Sequence, residues 1–251
     1  MTYEHIRQDP AIKAYITGAD ASLIALGYTE HSFAHVTLVA EKAGYILETL
    51  GYPARTVELA KIAGYLHDIG NLVNRVEHSQ TGAVMAFRLL DNLHFPPEEI
   101  AVITTAIGNH DEGSGQPVNE VAAALILADK SDVRRSRVRN REVTSFDIHD
   151  RVNYSVTKSE LKINEAHTLI KLKLTVDTRV GSIMDYFEIF LARMILCRKA
   201  AEKLGRPYDC LVSREMISLI FSECRDVFRG CKGLEILHIE GHDGTFISIT
   251  L

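Results

Sequence analysis

The stretch Leu66-His67-Asp68-Ile69-Gly70 decides how this chain is read. An adjacent histidine and aspartate offer one imidazole nitrogen and one carboxylate oxygen, a mixed donor set suited to iron, manganese or zinc. The dipeptide alone decides little, because His110-Asp111, His149-Asp150 and His242-Asp243 repeat it. Its surroundings set it apart. At about 100° per residue, Ala60, Ala63 and Gly64 share the helical face of His67. A face of small side chains lets a second helix approach closely and present ligands of its own.

Outward from that pair, residues 11–141 read as a succession of helices. The first covers 11–26 and the second 32–50, closed by Gly51 and Pro53. The third covers 54–69 and stops at Gly70, and the fourth covers 78–93. Pro96-Pro97-Glu98-Glu99 opens a fifth, with proline in the first turn and acids at the positive end, and it runs to His110. A sixth runs from Asn119 to about Arg139. Beyond residue 142 the period changes. Residues 152–163 and 169–176 carry alternating or β-branched runs and read as strands. A long helix over 182–204, a shorter one over 213–227, and strands over 234–239 and 245–251 complete the chain, the last two flanking a turn at Gly241-His242-Asp243-Gly244. The expected fold class is α+β: an all-helical bundle over 1–141 followed by a smaller α+β domain over 142–251.

Two further residues are placed as metal ligands would be. His35 lies on the second helix with Val39, Ala43, Ile46 and Leu50 on its face. Asp129 follows the apolar run Ala122-Ala123-Ala124-Leu125-Ile126-Leu127-Ala128. A carboxylate there is costly to bury unless something positive meets it; a metal ion would do so, and the alternative is pairing with Lys130 or an arginine.

Composition narrows the classes. The 251 residues are 46% hydrophobic and 24% charged, ordinary for a globular protein, with a net charge of −5 that does not suit general nucleic-acid binding. No basic stretch leads into an apolar run at the N-terminus, and no stretch has the length of a membrane span. The expected location is the cytoplasm. Cys197, Cys210, Cys224 and Cys231 form no C-x-x-C pair and read as reduced structural thiols.

The order His35, His67-Asp68, Asp129 resembles the H…HD…D signature of the HD superfamily of metal-dependent phosphohydrolases, in which each ligand arrives on a separate helix. Ala128-Asp129-Lys130 looks like its closing motif. His78-Ser79-Gln80-Thr81-Gly82-Ala83 resembles the H-x-x-x-G-A segment of the subgroup that holds two metals, and His110 stands where that subgroup carries a further histidine. The resemblance implies two divalent transition metal ions, iron or manganese favoured. His35, His67, Asp68 and Asp129 would hold one; Asp68, His78 and His110 would hold the other, with Asp68 bridging. It implies hydrolysis of a phosphate ester or anhydride, with a nucleotide as the expected substrate, by a metal-activated hydroxide. Phosphomonoesterase, phosphodiesterase and nucleotide pyrophosphohydrolase activities all stay open. The chain departs from the cyclic-dinucleotide phosphodiesterases, since Asn109 replaces the first histidine of their His-His-Glu motif. It is closer, in part, to the diiron diadenosine tetraphosphate hydrolases. His94 and His242-Asp243 match no motif position.

After Asp129, residues 130–141 carry six cations against one acid. Lys130, together with Arg134 or Arg135, is the candidate contact for substrate phosphate, because guanidinium forks suit phosphate oxygens. Asp68 and Lys130 are the candidate catalytic side chains. The expected partner is a small phosphorylated molecule, without membrane or nucleic acid, and a homodimer is an open expectation. The competing reading is a non-catalytic, metal-containing sensor whose C-terminal domain binds a ligand or partner.

Overall fold

The computed structural model describes residues 1–139, 148–177, 179, 183–212, 235–240 and 246–250. Its packing divides the chain into two units, Met1–Leu211 and Val212–Leu251. Within the first unit, α1 (Tyr3–Gln8), α2 (Pro10–Ala25), α3 (Phe33–Thr49), α4 (Ala54–Leu66), α5 (His78–Asn92), α6 (Pro97–Gly108) and α7 (Glu120–Lys130) form the helical body. A 3-10 turn at Ile69–Leu72 joins α4 to α5, and another lies at Arg135–Arg137. Then come α8 (Ile148–Ser155), the antiparallel strands β1 (Val156–Ile163) and β2 (Ile170–Val176), α9 (Ile183–Lys203) and β3 (Tyr208–Val212). The strand order is β1-β2-β3. In the second unit, β4 (Glu235–Glu240) pairs antiparallel with β5 (Phe246–Thr250). The fold is α+β, and no described helix is long and apolar enough to cross a membrane.

The core is built around α7. Every residue from Val121 to Ala128 is out of solvent, as expected of a helix that is apolar all round. It packs against α3, α4, α6 and α9. Asn119 caps it by accepting the Ala122 N–H at 2.7 Å. The face of α4 that sequence marks as small is the face of closest approach. A Cβ on Gly64 would fall 2.7 Å from Ala40 Cα, so only glycine lets α3 and α4 meet at that height. The same holds one turn further on. A Cβ on Gly70 would lie 2.0 Å from His78 O and 2.5 Å from Gly82 N, so the turn after Asp68 sits directly on the start of α5.

Several boundaries differ from expectation. α1 precedes the first helix expected from sequence; it is two turns long, too short for a period to show, yet it buries Tyr3 and Ile6. Residues 152–155 belong to α8, not to a strand. The strand-like types Val152 and Tyr154 are overridden by tertiary placement, with Val152 and Ser155 both buried. α7 ends at Lys130 rather than near Arg139. Ser131 Oγ turns back to donate to Ala128 O at 2.8 Å, and Asp132 leaves the helical path to meet His35. The change of sequence pattern near 142 is a change in element type, and the packing of the first unit runs across it. Ile170, Leu196, Cys197, Ala200, Ala201 and Leu204 join the same core as the helices. Of the cysteines, Cys197 is a buried free thiol. The expected helix over 213–227, Cys224, Cys231, Arg141 and the turn at 241–244 with His242-Asp243 lie outside the described residues, as do the side chains of His149 and Cys210.

Candidate metal centre

Five helix ends converge on one point. His35 is in the first turn of α3, His67 and Asp68 follow the last residue of α4, and His78 opens α5. His110 follows α6, and Asp129 is in the last turn of α7. Helix ends are where backbone carbonyls and amides lack helical partners, and the histidines use this. His67 Nδ1 lies 2.8 Å from Gly64 O, His110 Nδ1 2.6 Å from Ile107 O, and His78 Nδ1 3.1 Å from Arg75 O, in each case the carbonyl three residues earlier. His35 Nδ1 is held by Asp132 Oδ2 at 2.8 Å. All four rings are thus anchored through Nδ1, which turns Nε2 toward the centre.

The donor atoms there are close. His35 Nε2 lies 3.3 Å from Asp68 Oδ2 and 3.4 Å from Asp129 Oδ1. His67 Nε2 lies 3.1 Å from Asp68 Oδ2 and 3.7 Å from Asp129 Oδ1. The other Asp68 oxygen, Oδ1, faces His78 Nε2 at 3.5 Å, and His78 Nε2 is 3.3 Å from His110 Nε2. Asp68 therefore stands between two histidine sets, with one oxygen toward each. Two groups, His35–His67–Asp129 and His67–Asp68–His110, have donor atoms mutually within 4.8 Å, spacing that can hold a metal ion. His35 Nε2, His67 Nε2 and Asp68 Oδ2 are buried without any hydrogen-bond partner. Orphaned polar atoms of this kind are rare in folded proteins, and here all three converge on one place.

Electrostatics point the same way. Burial opposes the charge on His67, but Asp68 and Asp129 outweigh it and raise the imidazole to about 10. Burial likewise opposes charge on His35, and Asp129, Asp132 and Asp68 still raise it. Burial also disfavours the carboxylates, yet Asp68, facing His67, and Asp129, facing Lys130, are held well below the usual range. In contrast, burial lowers His78 and His110, which are neutral donors. The cluster is a buried anionic centre that takes up protons for want of a stronger cation.

A cavity of about 150 Å³ opens beside the cluster. Asp68, His78, His110, Asp129 and Lys130 line it. Lys130 Nζ contacts Asp129 Oδ2 at 2.8 Å and Glu112 Oε2 at 3.5 Å. Arg134 and Arg135, named from sequence as phosphate contacts, do not line it. Arg134 forks onto Asp132 at 2.6 and 3.1 Å; Arg135 bonds Tyr154 O, and its guanidinium lies 4.6 Å from the Tyr154 ring centroid. The helix expected to run on to about Arg139 ends at Lys130, before either arginine. The cations that do line the cavity besides Lys130 are Arg75, Arg137 and Arg193. His31, Asp150 and Asn153 add polar groups, and Tyr28 stands at its edge. None of these was named from sequence as a site residue, although Asp150 sits in a His–Asp dipeptide and Arg137 in the cationic run after Asp129. Asp132 did leave a trace, a second carboxylate three residues after Asp129.

Residues 32–154 match the HD domain family. The chain carries an HD domain. All six residues of the candidate cluster fall inside the matched span. An uncharacterized protein of Methanocaldococcus jannaschii is 25% identical over 185 residues, covering 64% of this chain and 71% of its own length. A crystal structure described as a predicted HD superfamily hydrolase, from an uncultured Thermotogales bacterium, is 23% identical with a TM-score of 0.40, covering 52% of this chain and 73% of that one. Outside the HD domain, α9 packs against α7 and supplies Arg193 to the wall of the cavity.

Proposed function

We propose that this HD-domain protein is a metal-dependent phosphohydrolase that cleaves a phosphate ester or anhydride. The observation that carries the reading is the convergence of His35 Nε2, His67 Nε2 and Asp68 Oδ2, three buried polar atoms without any hydrogen-bond partner, the two nitrogens 3.3 and 3.1 Å from the oxygen. His35, His67, Asp68 and Asp129 would hold one divalent ion, and Asp68, His78 and His110 a second, with Asp68 common to both sets. The mixed nitrogen and oxygen set suits iron, manganese or zinc, and the family resemblance favours the first two. Ions bound there would lower the pKa of water to near neutrality and offset charge on a phosphoryl group.

The protein's own groups do the rest. The Nδ1 anchors fix each ring so that the ligands need little reorganisation. Lys130, pinned between Asp129 and Glu112 at the wall of the cavity, brings a positive charge to a phosphoryl oxygen. Tyr28, 42% exposed at the edge, offers a ring face on which a nucleobase can stack, which makes nucleotides the first substrates to test. A purely structural metal in a sensor would need no cation-lined cavity beside it. The test is elemental analysis of fully loaded protein combined with hydrolysis assays on a panel of nucleotides and simple phosphoesters. About two metals per chain and phosphate release are expected. Metal content that never exceeds one removes the dinuclear claim, and a loaded protein inert to every phosphoester removes the enzyme claim.

A further inference from the structure

Four cationic side chains line the cavity, and they are not equivalent. Arg137 is committed to the fold: Nε donates to Glu30 O at 2.9 Å and Nη1 to Asp132 O at 2.7 Å. Arg75 is turned into the histidine cluster, with Nη1 3.2 Å from His78 Nε2 and 3.4 Å from Asn71 Oδ1. Lys130 is bound to Asp129 and Glu112. Arg193 differs from all three. Among the described residues its guanidinium makes no directed hydrogen bond; it has a charge contact, Nε to Glu112 Oε1 at 2.5 Å, and lies 5.6 Å from the Phe190 ring centroid. Glu112 Oε1 itself accepts no hydrogen bond with acceptable geometry. A guanidinium carries five N–H donors in a planar fork. Here that fork is held in place by a carboxylate and an aromatic face, its side chain is only 20% exposed, and its donors are left for whatever enters the cavity.

Glu112 ties this arginine to the metal cluster. One carboxylate oxygen contacts Arg193 and the other contacts Lys130, which in turn contacts Asp129. The two cations are therefore set side by side beside the proposed ligands. A tetrahedral phosphate is the ligand that matches such a pair, because one fork takes two oxygens while a point charge takes a third.

We infer that Arg193, carried on α9 beyond the HD domain, is the arginine that binds the substrate phosphate, with Glu112 as the residue that positions it. The inference rests on the phosphohydrolase reading and deepens it: the HD domain by itself lacks this donor set, and the helix that follows it completes the recognition site. The role given in sequence to Arg134 or Arg135 passes to a residue far along the chain.

The experiment titrates inorganic phosphate into the metal-loaded full chain and measures binding calorimetrically, with metal content determined on each sample. Arg193→Ala is expected to weaken phosphate binding roughly ten- to hundredfold while the metals stay. Arg193→Lys, which keeps the charge without the fork, is expected to recover only part of the loss. Arg198→Ala removes the same charge from an exposed position on the same helix and is expected to bind as the wild type does. The core contacts of α9 through Leu196, Cys197 and Ala200 are untouched by all three changes. Wild-type phosphate affinity in Arg193→Ala, or an equal loss in Arg198→Ala, overturns the assignment while leaving the phosphohydrolase reading intact. A wild-type chain that neither binds phosphate nor hydrolyses phosphoesters overturns both.

Discussion

His35 and Asp132 meet Nδ1 to Oδ2 at 2.8 Å, both side chains wholly out of solvent, three residues beyond the proposed ligand Asp129. The carboxylate fixes the ring that presents Nε2 to the centre. Arg134 in turn holds Asp132 at 2.6 Å. An arginine that sequence offers for substrate phosphate is thus bound to the carboxylate that anchors a proposed ligand.

Asp132→Ala should therefore weaken metal binding about 10- to 100-fold, the usual cost of losing a carboxylate behind a ligating histidine. Chelator competition on the purified protein reads this directly. Unchanged affinity would show that His35 needs no such anchor.

Asp68→Ala should abolish phosphoester hydrolysis and lower metal content, since it removes the one carboxylate that faces both histidine sets. His242→Ala changes a His–Asp pair that matches no motif position and should leave both near wild type. Equal losses in the two variants would mean that the wrong pair has been chosen.

Gly70→Ala should be far more damaging than its size suggests. Its Cβ would meet two backbone atoms at 2.0 and 2.5 Å, so the turn must move away from α5 and draw Asp68 from His78. A loss of about 2–3 kcal/mol is expected, with a fall in Tm of several degrees and reduced metal content. Gly108→Ala meets only ordinary contacts at 3.6 Å and should be near neutral. Thermal unfolding of both variants is the check, and a similar Tm for the two would contradict the close approach.

Metal uptake should release protons and strengthen with pH. In the metal-free cluster His67 is raised to about 10, so at neutral pH it is protonated, and an incoming cation must displace that proton. The sign follows: below about 10, apparent affinity rises roughly tenfold per pH unit for each proton displaced. Calorimetry in buffers of different ionisation enthalpy should record at least about one proton released near pH 7. Affinity that is flat between pH 6 and 8 would contradict the protonated state.

The helices that bear the proposed ligands were legible because their signals are local. The capped starts, the Gly51 and Gly70 stops and the apolar run before Asp129 each speak to one segment. The small face of α4 even forecast the close approach that Gly64 makes to Ala40. The end of α7 was not legible, because Asp132 leaves the helix for a partner 97 positions away. Nor was α8, whose residues carry strand-like types but are held as a helix by burial.

By itself, then, the sequence determined which donors exist and in what order: His35, His67, Asp68, His78, His110 and Asp129, spaced so that separate helices bring them together. Tertiary structure alone decided which cations reach the site. Arg134 and Arg135 are neighbours of Asp129 in the chain yet turn to Asp132, Tyr154 and Asp177, while Arg193, 64 positions after Asp129, lines the cavity. A ligand pattern is written in periodicity and spacing, which the chain carries locally. A charge, by contrast, goes wherever folding leaves a carboxylate or a cavity to receive it, and that depends on contacts between elements that no single segment contains.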